Sequence, residues 1–155
     1  MKQFVIIPMG GEGIRFKNAG YKTYKPFLKV SEGITIIDKI INNFSSSKTE
    51  FIIIGNSNKI KLIKSKVKYR NLKILKIKPH KFGPLHSLYL VKKKLDKIIS
   101  DNNVFIVYSD INWNWNYNKV LKFVSKKKAV VFTHRDFHPD LELSLIHISE
   151  PTRRR

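Results

Sequence analysis

The sequence predicts an α/β fold, a mostly parallel sheet with helices alternating between its strands. Three observations lead there. Short apolar runs occur at residues 4–8, 51–54 and 104–108, and an apolar-rich stretch at 72–77. Between them, apolar residues return at three- and four-residue spacing, the period of a helix face. Polar or glycine-bearing loops follow directly on the runs, as β-α alternation with right-handed crossovers requires.

Each element has its own justification. Residues 4–8 are apolar throughout, as expected of a parallel strand covered on both faces. After "GGEG" comes the polar, turn-rich "NAGYKTYKPFLKV". Ile36, Ile37, Ile40, Ile41 and Phe44 then recur at helical spacing, with Thr35 placed to cap. "SSSK" closes that helix, and residues 51–54 form a second strand stopped by "GNSN". Ile60, Leu62, Ile63 and Val67 suit a short helix whose lysines face solvent. Leu72, Ile74, Leu75 and Ile77 mark a third strand. "PHKFGPLHS" opens a third helix near Pro84 or Leu85, carried by Leu88, Leu90, Val91, Leu95, Ile98 and Ile99. Residues 104–108 are a fourth strand, ending at "SDINW". Val120, Leu121 and Val124 indicate a fourth helix, and residues 129–132 a fifth strand.

Composition narrows the class. The chain has 155 residues, enough for one domain with a substantial core. It lacks cysteine, which excludes disulfides and thiolate metal sites. No stretch has a signal-peptide layout or the length to span a membrane, so the chain reads as cytoplasmic. Lysine and arginine total 31 against 11 acidic residues, a formal net charge of +20. Such a balance suits a basic nucleic-acid-binding module. It also suits compositional drift, because lysine, isoleucine and asparagine are all abundant and lysines recur in every segment. Arginine, the better groove-reading residue, occurs six times, three of them at the very end.

Two polar features converge in this reading. In an open α/β sheet, ligands lie beyond the carboxyl ends of the strands. "GGEG" and "SDINW" both fall at such ends. The loop lacks the lysine and hydroxyl residue of an ATPase phosphate loop, and it lacks the third glycine of a dinucleotide fingerprint. What it has is G-G-x-G-x-R, with Lys25 ten residues after Arg15. Gly10, Gly11 and Gly13 allow backbone N–H groups to turn toward phosphate oxygens. Arg15 supplies a fork of donors and Lys25 a mobile point charge. The alternative is a glycine turn with two solvated cations.

"IIPMGGEGIRF…GYKTYKPFLKV" resembles the signature of the sugar-phosphate nucleotidyltransferases, a family with a glycosyltransferase-A-like α/β fold. The resemblance implies Mg²⁺-dependent attack by a sugar or alditol phosphate on the α-phosphate of a nucleoside triphosphate, releasing pyrophosphate. It assigns Gly10, Gly11, Gly13 and Arg15 to the triphosphate and Lys25 to the reacting phosphates. Where the family usually has proline before that lysine, this chain has Tyr24. "KFGPLHSLYLV", "VFIVYSDINWNWNY" and "FHPD" extend the resemblance to a subgroup of capsule and surface-polysaccharide synthesis, covering roughly residues 3–140. Nucleotide recognition is implied near Gly83, with CTP or UTP as first substrates.

Asp110 is the candidate metal ligand, since a strand-end carboxylate suits Mg²⁺. Asn112 is a weaker candidate, for a metal-bound water. Trp113, Trp115 and Tyr117 alternate, as a stacking platform would, or else cover the sheet and pack beneath the next helix. His80, His86 and His138 lack zinc-site spacing. A non-catalytic remnant is the remaining alternative.

By resemblance the family continues beyond this length and supplies a second metal-binding aspartate. Asp136 and Asp140 come too early to match it. "LSLIHISEPTRRR" resembles translated sequencing-adapter read-through. Residues 1–142 are therefore read as the N-terminal part of one nucleotidyltransferase domain, inactive by itself, and residues 143–155 as a non-native tail.

Overall fold

The computed structural model describes residues 2–99, 102–111, 116–124 and 130–131. The chain divides into two compact units, residues 1–121 and 122–155. The first carries the sheet and the candidate site. Of the second, residues 122–124 and 130–131 are described.

Four parallel strands form the sheet: β1 (Gln3–Met9), β4 (Thr49–Asn56), β5 (Leu72–Ile77) and β6 (Asn103–Ile106), in the order β5-β4-β1-β6. The α/β reading of the sequence is borne out. β1 and β4 are the inner strands, and both are buried almost throughout. That explains their unbroken apolar sequences, because an inner parallel strand meets helices on both faces.

Register sorts the side chains. Ile6 pairs with Ile52 and with Ile106 across the parallel ladders. Phe4, Ile6, Ile52, Ile54 and Ile77 form one core face, packed against Val91 and Leu95 of helix α4 (Pro84–Ile99). Val5, Ile7, Phe51 and Ile53 face the other way and are fully buried. There Phe44, on α2 (Ile36–Phe44), meets Phe105 at 5.5 Å between ring centroids. Gly55 lies against Ile60 and Ile63 of α3 (Ile60–Lys66), where an added Cβ would come within 3.0 Å of both. The domain is thus a three-layer α/β/α arrangement.

Thr35 caps α2 as its sequence suggests. Its hydroxyl accepts from the Asp38 N–H at 3.3 Å, while the Asp38 carboxylate accepts from the Thr35 N–H at 2.9 Å. This reciprocal box satisfies two donors at the helix start and is worth about 1 kcal/mol.

The turn-rich segment after the glycine loop contains more structure than its sequence reveals. It forms α1 (Ile14–Asn18), a 3₁₀ turn (Lys25–Phe27) and a small antiparallel pair, β2 (Lys29–Ser31) and β3 (Ile34–Thr35). Each is shorter than two periods of its own hydrophobic pattern, so no repeat marks it in the sequence. β6 ends earlier than expected, although the Val107 N–H still donates to the Ile6 carbonyl at 2.9 Å. Helix α5 (Tyr117–Val124) corresponds to the fourth helix. Of the expected strand at 129–132, Ala129 and Phe132 lie outside the described residues, and Val130 and Val131 take no regular element. Asn112, Trp113, Trp115, Asp136, His138, Asp140 and the tail from residue 143 also lie outside them.

Candidate active site

The strand order reverses direction at β1: the chain moves outward through β4 and β5, then returns to place β6 on the far side of β1. Such a switch point leaves a crevice beyond the carboxyl ends of the two strands. A cleft of about 290 Å³ lies there, lined by Gly10, Gly11, Gly13, Lys25, Gly83 and Asp110, among others. Six of the seven site candidates thus meet in one place. Arg15 stands on α1, exposed, and is not among the cleft-lining residues.

The three loop glycines differ in their physical reasons. Gly10 is a close-approach position: an added Cβ would lie 2.5 Å from Ile77 Cδ1, 2.6 Å from Ser87 Oγ and 2.9 Å from His80 Nε2. Gly11 has open space where its Cβ would be. It forms a parallel bridge with His80, and its carbonyl accepts from Asn56 Nδ2 at 3.4 Å. Gly13 takes φ +68° as the residue preceding α1, a left-handed conformation that disfavours side chains. Gly83 takes φ +83° on the way into α4.

Lys25 begins the 3₁₀ turn, whose Pro26 and Phe27 are buried and anchor it. Tyr24, where the family resemblance expects proline, supplies a second anchor. Its hydroxyl donates to the Met9 carbonyl at 2.8 Å, tying the lysine segment to the end of β1. Burial pushes the Tyr24 phenol up to about 12. Lys25 Nζ sits 2.8 Å from Asp110 Oδ2 and 4.7 Å from the centroid of the Phe16 ring. Asp110 follows β6 in a turn. Both side chains remain about one-third exposed (33% and 39%), so the pair neutralises itself without being locked by burial.

Sequence reasoning missed the cleft-lining Ser87 and, beside the cleft, Asn56, and it weighed His80 only as a metal ligand. Asn56 ends β4 within "GNSN", where a strand-end position was the available signal. Ser87 and His80 are buried together, Oγ to Nε2 at 2.9 Å. No local signal could have paired them.

At Tyr117 the packing alternative holds rather than the stacking platform. Its ring lies 5.4 Å from Phe44 and 5.8 Å from Phe105, and its hydroxyl donates to Gln3 Oε1 at 2.6 Å. Gln3 begins β1, so Tyr117 packs at the opposite end of the sheet from the cleft.

Among the described residues, no group of three or more metal-binding side chains occurs, and no helix is long and apolar enough to cross a membrane.

Fold and cleft together define an α/β protein whose candidate ligand site lies at a topological switch point, lined by a glycine loop, a lysine and a carboxylate. A family profile described as nucleotidyl transferase matches residues 4–149, and the chain belongs to that family. No curated protein matches the chain.

Proposed function

We propose that this domain serves Mg²⁺-dependent transfer of a nucleotidyl group from a nucleoside triphosphate, CTP or UTP first, to a sugar or alditol phosphate, in making surface-polysaccharide precursors. The observation that carries this reading is the convergence of Gly10, Gly11, Gly13, Lys25 and Asp110 on one switch-point cleft in a nucleotidyl transferase chain. The sugar-phosphate and polysaccharide parts rest on the sequence resemblance.

In the reaction, an oxygen of the acceptor phosphate bonds to the α-phosphorus, the bond from that phosphorus to the β-phosphate bridge breaks, and pyrophosphate leaves. No protein nucleophile is required, so the residues act by placement and charge. The glycine backbone holds the triphosphate. Arg15, exposed beside Gly13, reaches its outer oxygens. Lys25 neutralises charge at the reacting phosphates once it leaves Asp110.

The donor chemistry fits magnesium. Asp110 is the carboxylate among the cleft-lining residues, and Mg²⁺ is commonly held by one or two carboxylates with substrate phosphates and waters. Asp110 would hold the ion, which would supply positive charge to offset that of the phosphates.

Titration calorimetry of the chain with each nucleoside triphosphate, with Mg²⁺ and with EDTA, tests this. Binding that requires Mg²⁺ and falls at least about tenfold in Arg15→Ala and in Asp110→Ala is expected. Unchanged binding in both variants would sink the assigned roles. Salt-sensitive binding to RNA or DNA without a Mg²⁺ requirement would favour the basic-module reading instead.

A further inference from the structure

Ser87 is an unusual wall for a ligand cleft. It lines the cleft through the first turns of α4, yet it is only 1% exposed. Its Oγ has one hydrogen-bond partner among the described residues, His80 Nε2 at 2.9 Å.

The direction of that bond follows from the other ring nitrogen. The backbone N–H of Phe82 donates to His80 Nδ1 at 3.3 Å. A neutral imidazole accepting at Nδ1 carries its proton on Nε2, so the network assigns Nε2–H as the donor and Ser87 Oγ as the acceptor. Burial of His80, with a smaller contribution from the neighbouring His86, holds its pKa below the usual histidine range and favours this neutral form.

Ser87 therefore receives a hydrogen bond and retains its own proton uncommitted. A buried hydroxyl donor without an acceptor is costly, about 1–3 kcal/mol in general, and is a place where a ligand atom is worth seeking. Gly10 sets the geometry. Any side chain there would collide with Ser87 Oγ and His80 Nε2, so bare backbone seats the pair directly against the glycine loop.

We propose that His80 is a positioning residue that fills one lone pair of Ser87 and leaves its proton free to donate, and that Ser87 recognises an oxygen acceptor of the bound nucleotide. This rests on the nucleotide-binding reading of the same cleft. A pyrimidine carbonyl and a phosphate oxygen both have the required chemistry.

Calorimetry with Mg²⁺ and CTP, UTP, ATP, GTP or inorganic tripolyphosphate tests the proposal. Ser87→Ala is expected to weaken the best-bound nucleotide about tenfold, in line with one lost hydrogen bond. His80→Leu should produce a similar loss, while His80→Gln, whose side-chain amide can donate to Ser87, should stay within about threefold of the parent. A purely packing role for His80 would not be rescued in this way. Should Ser87→Ala fail to fold, Ser87→Cys keeps the volume with only a weak donor and should show the same loss.

The probes separate the two oxygen sources. Equal weakening of tripolyphosphate and nucleotide identifies a phosphate oxygen; weakening of nucleotide alone identifies an oxygen of the nucleoside. Parent-like binding of every probe by folded Ser87→Ala or Ser87→Cys overturns the proposal and leaves the nucleotide reading intact. If the parent chain itself binds none of the probes, both readings fall.

Discussion

Lys25 and Asp110, 85 positions apart in the chain, are joined at 2.8 Å across the cleft mouth. Sequence reasoning gives them different partners, a phosphate for the lysine and a cation for the carboxylate. Without ligand they satisfy one another, so each holds the charge that the other's partner would bring.

A pair this exposed contributes little to folding. Double-mutant-cycle analysis of Lys25→Met and Asp110→Asn by urea unfolding should give a coupling below about 1 kcal/mol. Coupling of several kcal/mol would mean that the pair is a structural lock, and its placement at the cleft would then owe more to folding than to ligand chemistry.

The glycine loop offers a sharper contrast. Gly10→Ala forces a Cβ within 3 Å of Ile77, Ser87 and His80, and should destabilise by about 1–3 kcal/mol. Gly11→Ala meets nothing within 4 Å and should leave the unfolding midpoint nearly unchanged, while weakening nucleotide binding if backbone approaches phosphate there. Equal loss of stability in both variants would contradict the packing account.

Tyr24→Phe removes the hydrogen bond to the Met9 carbonyl and should cost about 0.5–1.5 kcal/mol. Its pH signature is distinct. Burial raises the folded-state pKa to about 12, so the contribution of the neutral phenol is complete below the ordinary tyrosine value near 10.0 and is lost as pH rises toward 12. Unfolding midpoints measured from pH 9 upward should therefore fall less steeply in Tyr24→Phe than in the parent. Parallel profiles would count against this.

Glu50 predicts the opposite limb. Its carboxylate is held below its ordinary range chiefly by the hydrogen bond from Lys2, with burial opposing and Lys73 assisting at 3.2 Å. A depressed folded-state pKa adds stability above the unfolded pKa, and that stability disappears as pH falls through the folded value. Acid unfolding of Glu50→Gln should accordingly be shallower than that of the parent across the carboxylate range. An identical acid limb in the two proteins would refute the assignment.

Much of the fold was legible because it is written in neighbouring residues. The continuous run in β1 identifies an inner parallel strand, the spacing of Ile37, Ile40, Ile41 and Phe44 identifies the buried face of α2, and Thr35 identifies its start. The segment between Gly13 and Thr35 was not legible in the same way. Its elements are too short to establish a period, and Pro26 and Phe27 become anchors only when a core exists to receive them. Tyr117 was ambiguous for a related reason: alternation with two tryptophans allowed either a platform or packing on the sheet, and contact with Phe44 and Phe105 decides for packing at the other end of the sheet.

By itself the sequence determined the β-α alternation, the apolar inner strands and the presence of glycines and a carboxylate at strand ends. These follow from local periodicity and from the backbone freedom of glycine. Only the tertiary structure decided that β6 returns beside β1, bringing Asp110 to Lys25, that Tyr24 ties its loop to Met9, and that His80 meets Ser87 beside the cleft. Those relationships join distant residues through strand order and close packing, and neither is expressed in any short stretch of the chain.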